Sequence, residues 1–94
     1  MMKKMEGMLV DYERLNQLQA NLVIGTKQVI KAITNGQVKE VVIAKDAEQH
    51  IINKIINSVN EFRVPYTYVD SKKKLGKACN IEVGATVVAI RDNS

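Results

Sequence analysis

Short β-branched runs alternate with segments of helical period along this chain, and that alternation restricts it to layered α/β architectures. Leu22-Val23-Ile24, Val41-Val42-Ile43-Ala44, Tyr66-Thr67-Tyr68-Val69 and the run from Thr86 to Ile90 read as strands. Pro65 stands at the start of the third, where a missing N–H is tolerated. Helix-like segments lie before and between these runs. Asp11 is placed to cap a first helix with Tyr12, Leu15 and Leu18 on one face. Thr26 reads as the N-cap of a second helix, Lys27 to Thr34, which Asn35-Gly36 ends. Asp46 reads as the N-cap of the strongest helix. Gln49 completes a loose capping box there, and Ile51, Ile52, Ile55, Ile56 and Val59 form a wide apolar face. Ser71 caps a short fourth helix that turns Leu75, Ala78 and Cys79 toward the core. Residues 81–85 form a loop. The expected fold is a small four-stranded sheet covered by helices on both faces.

A chain of 94 residues is one domain, with its core over about residues 12–90. No stretch approaches the ~20 apolar residues of a membrane span. The opening MMKKMEGMLVDYE has no continuous apolar run, so a signal peptide is not expected. One Cys and one His supply neither a disulfide framework nor a Cys/His zinc site. A reducing, cytoplasmic setting follows as the expectation, with no metal or cofactor. No nucleophile stands beside a base and no carboxylates pair by spacing, so catalysis is not expected. His50 falls in an exposed first helical turn and reads as inert, and Cys79 reads as a small core residue. Aromatics are 4% of the chain, with no Trp, which argues against a base-stacking platform.

Charge is more informative. The net +4 is concentrated in two blocks. Residues 25–45 set Lys27, Lys31, Lys39 and Lys45 against Glu40, and residues 70–82 set Lys72, Lys73, Lys74 and Lys77 against Asp70 and Glu82. Together they suit a polyanion, although a solvated lysine-rich surface has the same composition. At the junction from Gly25 to Lys31 a strand stops and a helix starts, so free backbone N–H groups point outward. Lys27 and Lys31 lie about 40° apart on that helix and Gln28 about 100° from Lys27, with Val29 and Ile33 on the far side. The Gly-x4-Gly-Lys-Ser/Thr spacing of a P-loop is absent. Lys72-Lys73-Lys74 occupies the first turn of the fourth helix, where the dipole disfavours cations, so a phosphate backbone is a natural partner for them. Ile81-Glu82-Val83-Gly84-Ala85 offers apolar side chains either to the core or to an extruded base, and packing is the role that chemistry alone favours.

At these positions the sequence resembles the kink-turn RNA-binding ribosomal proteins of the L-seven-Ae and L-thirty-e superfamily, most of all their small bacterial homologues. Four ordered blocks carry the likeness. They run from Leu22 to Gln28 and on through Lys31-Ala32-Ile33, from Val41 to Asp46, from Lys74 to Cys79, and from Ile81 to Ala85. The resemblance implies an α-β-α sandwich with a mixed sheet. It also implies binding to a bent RNA duplex with sheared G·A pairs next to a bulge. Lys27, Gln28 and Lys31 would then read the G·A bases, with Gly25 and Thr26 shaping the helix start. The loop Ile81, Glu82, Val83, Gly84, Ala85 would pack on the extruded nucleotide. Lys45 and the lysines at 72, 73, 74 and 77 would meet the RNA backbone by charge. The family's usual Asn is Lys27 here, and its usual Glu is Gln28. A carboxylate accepts from two guanine donors at once, whereas a carboxamide has one acceptor oxygen. Thr34-Asn35 also replaces a stretch that is often basic in the family. Binding tuned differently on an intact fold is the expectation.

The expected protein is therefore a monomeric, non-catalytic RNA-binding module for kink-turns in ribosomal or regulatory RNA, working in or near the ribosome and away from membranes. A second reading keeps the fold but weakens RNA affinity through Lys27 and Gln28, leaving a module that docks a protein partner. An enzymatic reading would need a separate catalytic domain, for which this chain has no room.

Overall fold

A computed structural model describes residues 21–79, 81 and 83–92. The first expected helix, around Asp11 to Leu18, lies outside them. The remainder runs β1 (Leu22–Ile24), α1 (Thr26–Thr34), β2 (Val38–Ala44), α2 (Gln49–Glu61), β3 (Tyr66–Val69), α3 (Lys72–Ala78) and β4 (Val87–Arg91). The sheet is mixed, with strand order β1-β4-β2-β3. β4 is antiparallel to both β1 and β2, while β2 and β3 are parallel. The parallel pair requires a crossover, and α2 supplies it.

Alternation along the strands divides the core in two. Val41 and Ile43 of β2, with Val87 and Ala89 of β4, face α1 and α2, where Val29, Ile33, Ile52, Ile55 and Val59 meet them. Val42 and Ala44, with Val88 and Ile90, face α3, where Leu75, Ala78 and Cys79 close the layer. The result is the expected three-layer α-β-α sandwich. Val41, Ile43, Ile55, Leu75 and Val87 are wholly buried, each contributing roughly 1.5–3 kcal/mol of hydrophobic stabilisation. Burial also raises the Cys79 thiol pKa above its ordinary range and keeps the thiol neutral.

Both long helices end in the same six-to-one closure. In α1 the Gln37 N–H bonds the Ala32 carbonyl at 3.1 Å, with Gly36 at φ 71°. In α2 the Val64 N–H bonds the Val59 carbonyl at 2.8 Å, and the left-handed position is filled by Arg63 at φ 55°.

Three local expectations change. β2 starts at Val38, three residues before the apolar run, because its polar first half still pairs with β4 through a bulge between Val38 and Glu40. Helix α1 starts at Thr26, so its N-cap is Gly25 and not Thr26. Helix α2 starts at Gln49 with Glu48 at the N-cap, so Asp46 does not cap it and no capping box forms. The Gln49 Nε2 instead donates to the Asn53 Oδ1 at 3.0 Å.

Candidate functional site

Strand direction assembles the site. β1, β2 and β3 run the same way and β4 runs against them, so three strand ends and one strand start meet at a single end of the sheet. The register fixes this arrangement: Ile24 lies opposite Val88, Ile43 opposite Val87, and Ala44 opposite Val69. Backbone bonds extend it into the connections. The Gly25 N–H donates to the Val87 carbonyl at 3.3 Å, the Ala44 N–H to the Thr86 carbonyl at 2.9 Å, and the Lys45 N–H to the Val69 carbonyl at 2.8 Å. Three spacings between four strands make this end about 14 Å wide.

Each helix follows a strand, so α1, α2 and α3 all begin here. Gly25 makes the first turn possible. At φ 105° and ψ 145° it occupies backbone space that other residues avoid, and no side chain caps the helix behind it. The α1 amides of Thr26, Lys27 and Gln28 precede the first intrahelical donor, the Val29 N–H to the Gly25 carbonyl at 2.9 Å. Lys27, Gln28 and Lys31 are exposed, and Val29 and Ile33 are buried behind them, so the polar stripe expected from spacing is present. Helix α2 also starts without a side-chain cap. Two uncapped helix starts and the nearby lysines make this end electropositive. Glu48 and His50 sit 3.5 Å apart at the α2 start, each 72% exposed, where solvent screens the pair.

Helix α3 is different. The Ser71 Oγ accepts the Lys74 N–H at 3.1 Å, as the sequence predicts. The Lys72 N–H is taken by the Asp46 Oδ1 at 2.8 Å, across 26 residues of sequence. Asp46 therefore brings a carboxylate to a helix start crowded with cations, which offsets the dipole penalty of three lysines there. Lys73, Lys74 and Lys77 are exposed, and Lys72 is half-buried against the loop before β4. Lys77 lies five residues into α3, about 7.5 Å from Lys72 along the axis and away from the sheet end.

That loop is pinned to α3 on both sides. The Ile81 N–H donates to the Gly76 carbonyl at 2.9 Å, and the Ala85 N–H to the Lys72 carbonyl at 3.0 Å. Its side chains divide between packing, the role that chemistry alone favours, and exposure. Ala85 is buried and Ile81 packs half-buried on the α3 side of the core. Val83 is 71% exposed, at the open face of the loop. Glu82 lies outside the described residues. The structure thus brings Gly25, Thr26, Lys27, Gln28, Lys45, Lys72, Val83 and Gly84 to one end of the sheet. Lys31 follows one turn along α1. The Ala85 side chain is buried in the core. The sequence reading missed Asp46 as a member of this group, because its local position next to a helix suggested a cap. Among the described residues, no group of His, Cys, Asp or Glu could hold a metal ion.

Known proteins resemble this chain in sequence and in fold. Residues 11–94 match the model of the ribosomal protein L7Ae/L30e/S12e/Gadd45 family. An RNA-binding protein of Halalkalibacterium halodurans is 51% identical over 82 residues, which span 87% of this chain and 99% of that protein. RNA-binding protein YbxF of Geobacillus stearothermophilus is 52% identical over 81 residues, 86% of this chain and 98% of the relative. A solved structure of a Giardia lamblia 15.5kD RNA binding protein superposes with a TM-score of 0.77 at 26% identity, covering 92% of this chain and 80% of that one.

Proposed function

The chain belongs to the ribosomal protein L7Ae/L30e/S12e/Gadd45 family, and on that premise we propose that it binds structured RNA at kink-turns, in or near the ribosome, without catalysis. One observation carries the reading: the exposed lysines, an uncapped α1 start and an exposed loop residue occupy the same end of the sheet. Relatives described as RNA-binding proteins support it across nearly their full length.

The residues divide by chemistry. Lys27, Lys31, Lys45 and Lys72–Lys74 supply attraction to phosphates, which is salt-dependent and indifferent to sequence. Gln28 supplies direction, since its carboxamide has both donors and an acceptor for base edges. Val83 gives an extruded nucleotide an apolar contact in place of water. A bent, unstacked RNA segment suits such a surface better than a regular duplex, whose deep major groove side chains cannot read.

Titration against a kink-turn RNA, and against the same RNA with its G·A pairs replaced by Watson–Crick pairs, tests this at two salt concentrations. A clear preference for the intact motif is expected. Equal and steeply salt-dependent binding to both would leave only lysine electrostatics and favour a protein-docking module.

A further inference from the structure

Asp46 sets a carboxylate among lysines, with Glu48 two residues on and Asp70 two residues before Lys72. It follows Lys45 and meets the start of a helix that opens Lys72-Lys73-Lys74. A carboxylate in that place repels a polyanion arriving at the same surface. Its bond does not go to the helix that follows it, nor to a lysine ammonium. The Oδ1 accepts the Lys72 backbone N–H at 2.8 Å. The Lys72 carbonyl, in turn, accepts the Ala85 N–H at 3.0 Å. Gly84 is seated on the same residue: a Cβ placed there would lie 3.1 Å from both the Cβ and the carbonyl oxygen of Lys72. Lys72 is thus fastened by Asp46 on one side and fastens the loop on the other.

We infer that Asp46 is a positioning residue for RNA binding: its acceptor oxygen fixes Lys72, and through Lys72 the loop residues Gly84 and Ala85, with no contact of its own to RNA. This rests on the RNA-binding reading above and gives a role to a residue that reading leaves without one. The charge itself opposes RNA, while the acceptor oxygen organises the surface, and substitution separates the two. Asp46→Asn keeps an acceptor oxygen and removes the charge. Asp46→Ala removes both. If only the charge mattered, the two variants would gain affinity equally.

The test is titration of the full chain and both variants against a kink-turn RNA at two salt concentrations, with melting curves recorded alongside. Asp46→Asn is expected to bind at least as tightly as the wild type. Asp46→Ala is expected to bind roughly two- to tenfold more weakly than Asp46→Asn at both salts. Equal affinities, or tighter binding by Asp46→Ala, would overturn the inference. A second pair approaches the same bond from its donor and serves even if Asp46→Ala fails to fold. Lys72 is the first residue of α3, a position that accepts proline, and Ser71 is already extended at φ −148° and ψ 150°. Lys72→Pro should bind several-fold more weakly than Lys72→Ala, since both lack the ammonium and only the first lacks the N–H. Equality of that pair would also overturn the inference.

Amide exchange separates this failure from failure of the RNA reading, because it needs no RNA. The Ala85 N–H should exchange faster in Asp46→Ala than in Asp46→Asn. Unchanged exchange would sink the positioning role even if the wild type binds kink-turns. Faster exchange with no kink-turn preference in the wild type would leave the positioning of the loop intact and reject its use for RNA.

Discussion

Gly76 of α3 lies directly under the carbonyl of Val83. A Cβ on Gly76 would overlap that oxygen and would also sit 3.0 Å from the Gly84 Cα and 3.2 Å from the Ala85 N. All three neighbours are backbone, so none can swing aside. The close approach sets how near the loop lies to α3 and therefore where Val83 stands. Gly76→Ala should lift the loop off the helix. A loss of about 1–3 kcal/mol in stability is expected from the overpacking, read as a lowered urea midpoint. Kink-turn affinity should fall as well, at temperatures where the variant is fully folded. A variant with unchanged stability and affinity would mean that the loop is not held as described.

Gly25 constrains by conformation and not by space. Nothing lies within 4 Å of a Cβ built on it, yet its φ of 105° is strained for any L side chain. Gly25→Ala should cost roughly 1–3 kcal/mol in thermal or urea unfolding. Relief of that strain would rotate the first turn of α1, so Lys27 and Gln28 should lose alignment and kink-turn preference should drop. A neutral melting curve would contradict the strain.

Arg63 makes the opposite case. It fills the left-handed closing position of α2 at φ 55°, where Gly36 closes α1. Arg63→Gly should stabilise by about 1 kcal/mol, because the left-handed conformation penalises a Cβ by roughly that much. A domain of this size should melt about 4–8 °C higher as a result. Arg63 stands at the other end of the sheet, beyond the far end of α2, so RNA affinity should stay unchanged. A change in affinity would move the RNA surface away from the end proposed here.

Much of this organisation was legible in the sequence. The β-branched runs gave the four strands, and Val29 and Ile33 against Lys27, Gln28 and Lys31 gave the two faces of α1, because burial leaves a period that can be counted. The start of β2 was hidden by Lys39 and Glu40, whose polarity reads as loop and whose strand conformation comes from pairing with β4. Asp46 is hard to place from sequence for a related reason. Its local pattern suits a cap, but its bond runs to Lys72 across 26 residues, and only the fold brings the two together. For the loop from Ile81 to Ala85, chemistry alone favours packing, while the family resemblance implies contact with RNA. The outcome, Ala85 in and Val83 out, depends on the closeness of Gly76.

Lys31 and Gln28 should fail in different ways. Lys31→Ala should lower affinity for both RNAs and reduce the slope of log K against log salt by about 0.7–0.9, the share of one phosphate contact. Gln28→Ala should keep the salt slope and lose preference for the intact motif, by roughly 0.5–1.5 kcal/mol for each hydrogen bond removed. Gln28→Glu should strengthen that preference, since a carboxylate accepts from two donors at once. Titrations at several salt concentrations separate these effects. Identical behaviour of the Lys31 and Gln28 variants would remove the distinction between attraction and readout.

The most direct test of where RNA meets this protein is a map of backbone amide shifts as a kink-turn RNA is added to the isotopically labelled chain. Shifts should concentrate in residues 25–31, 45–49, 72–74 and 83–86, the segments that the strand directions bring to one end of the sheet. The opposite end, Gln37-Val38 and Arg63 to Tyr66, should stay still. Shifts centred on that opposite end, or on the exposed Tyr66 and Tyr68 of β3, would contradict the assignment of the site.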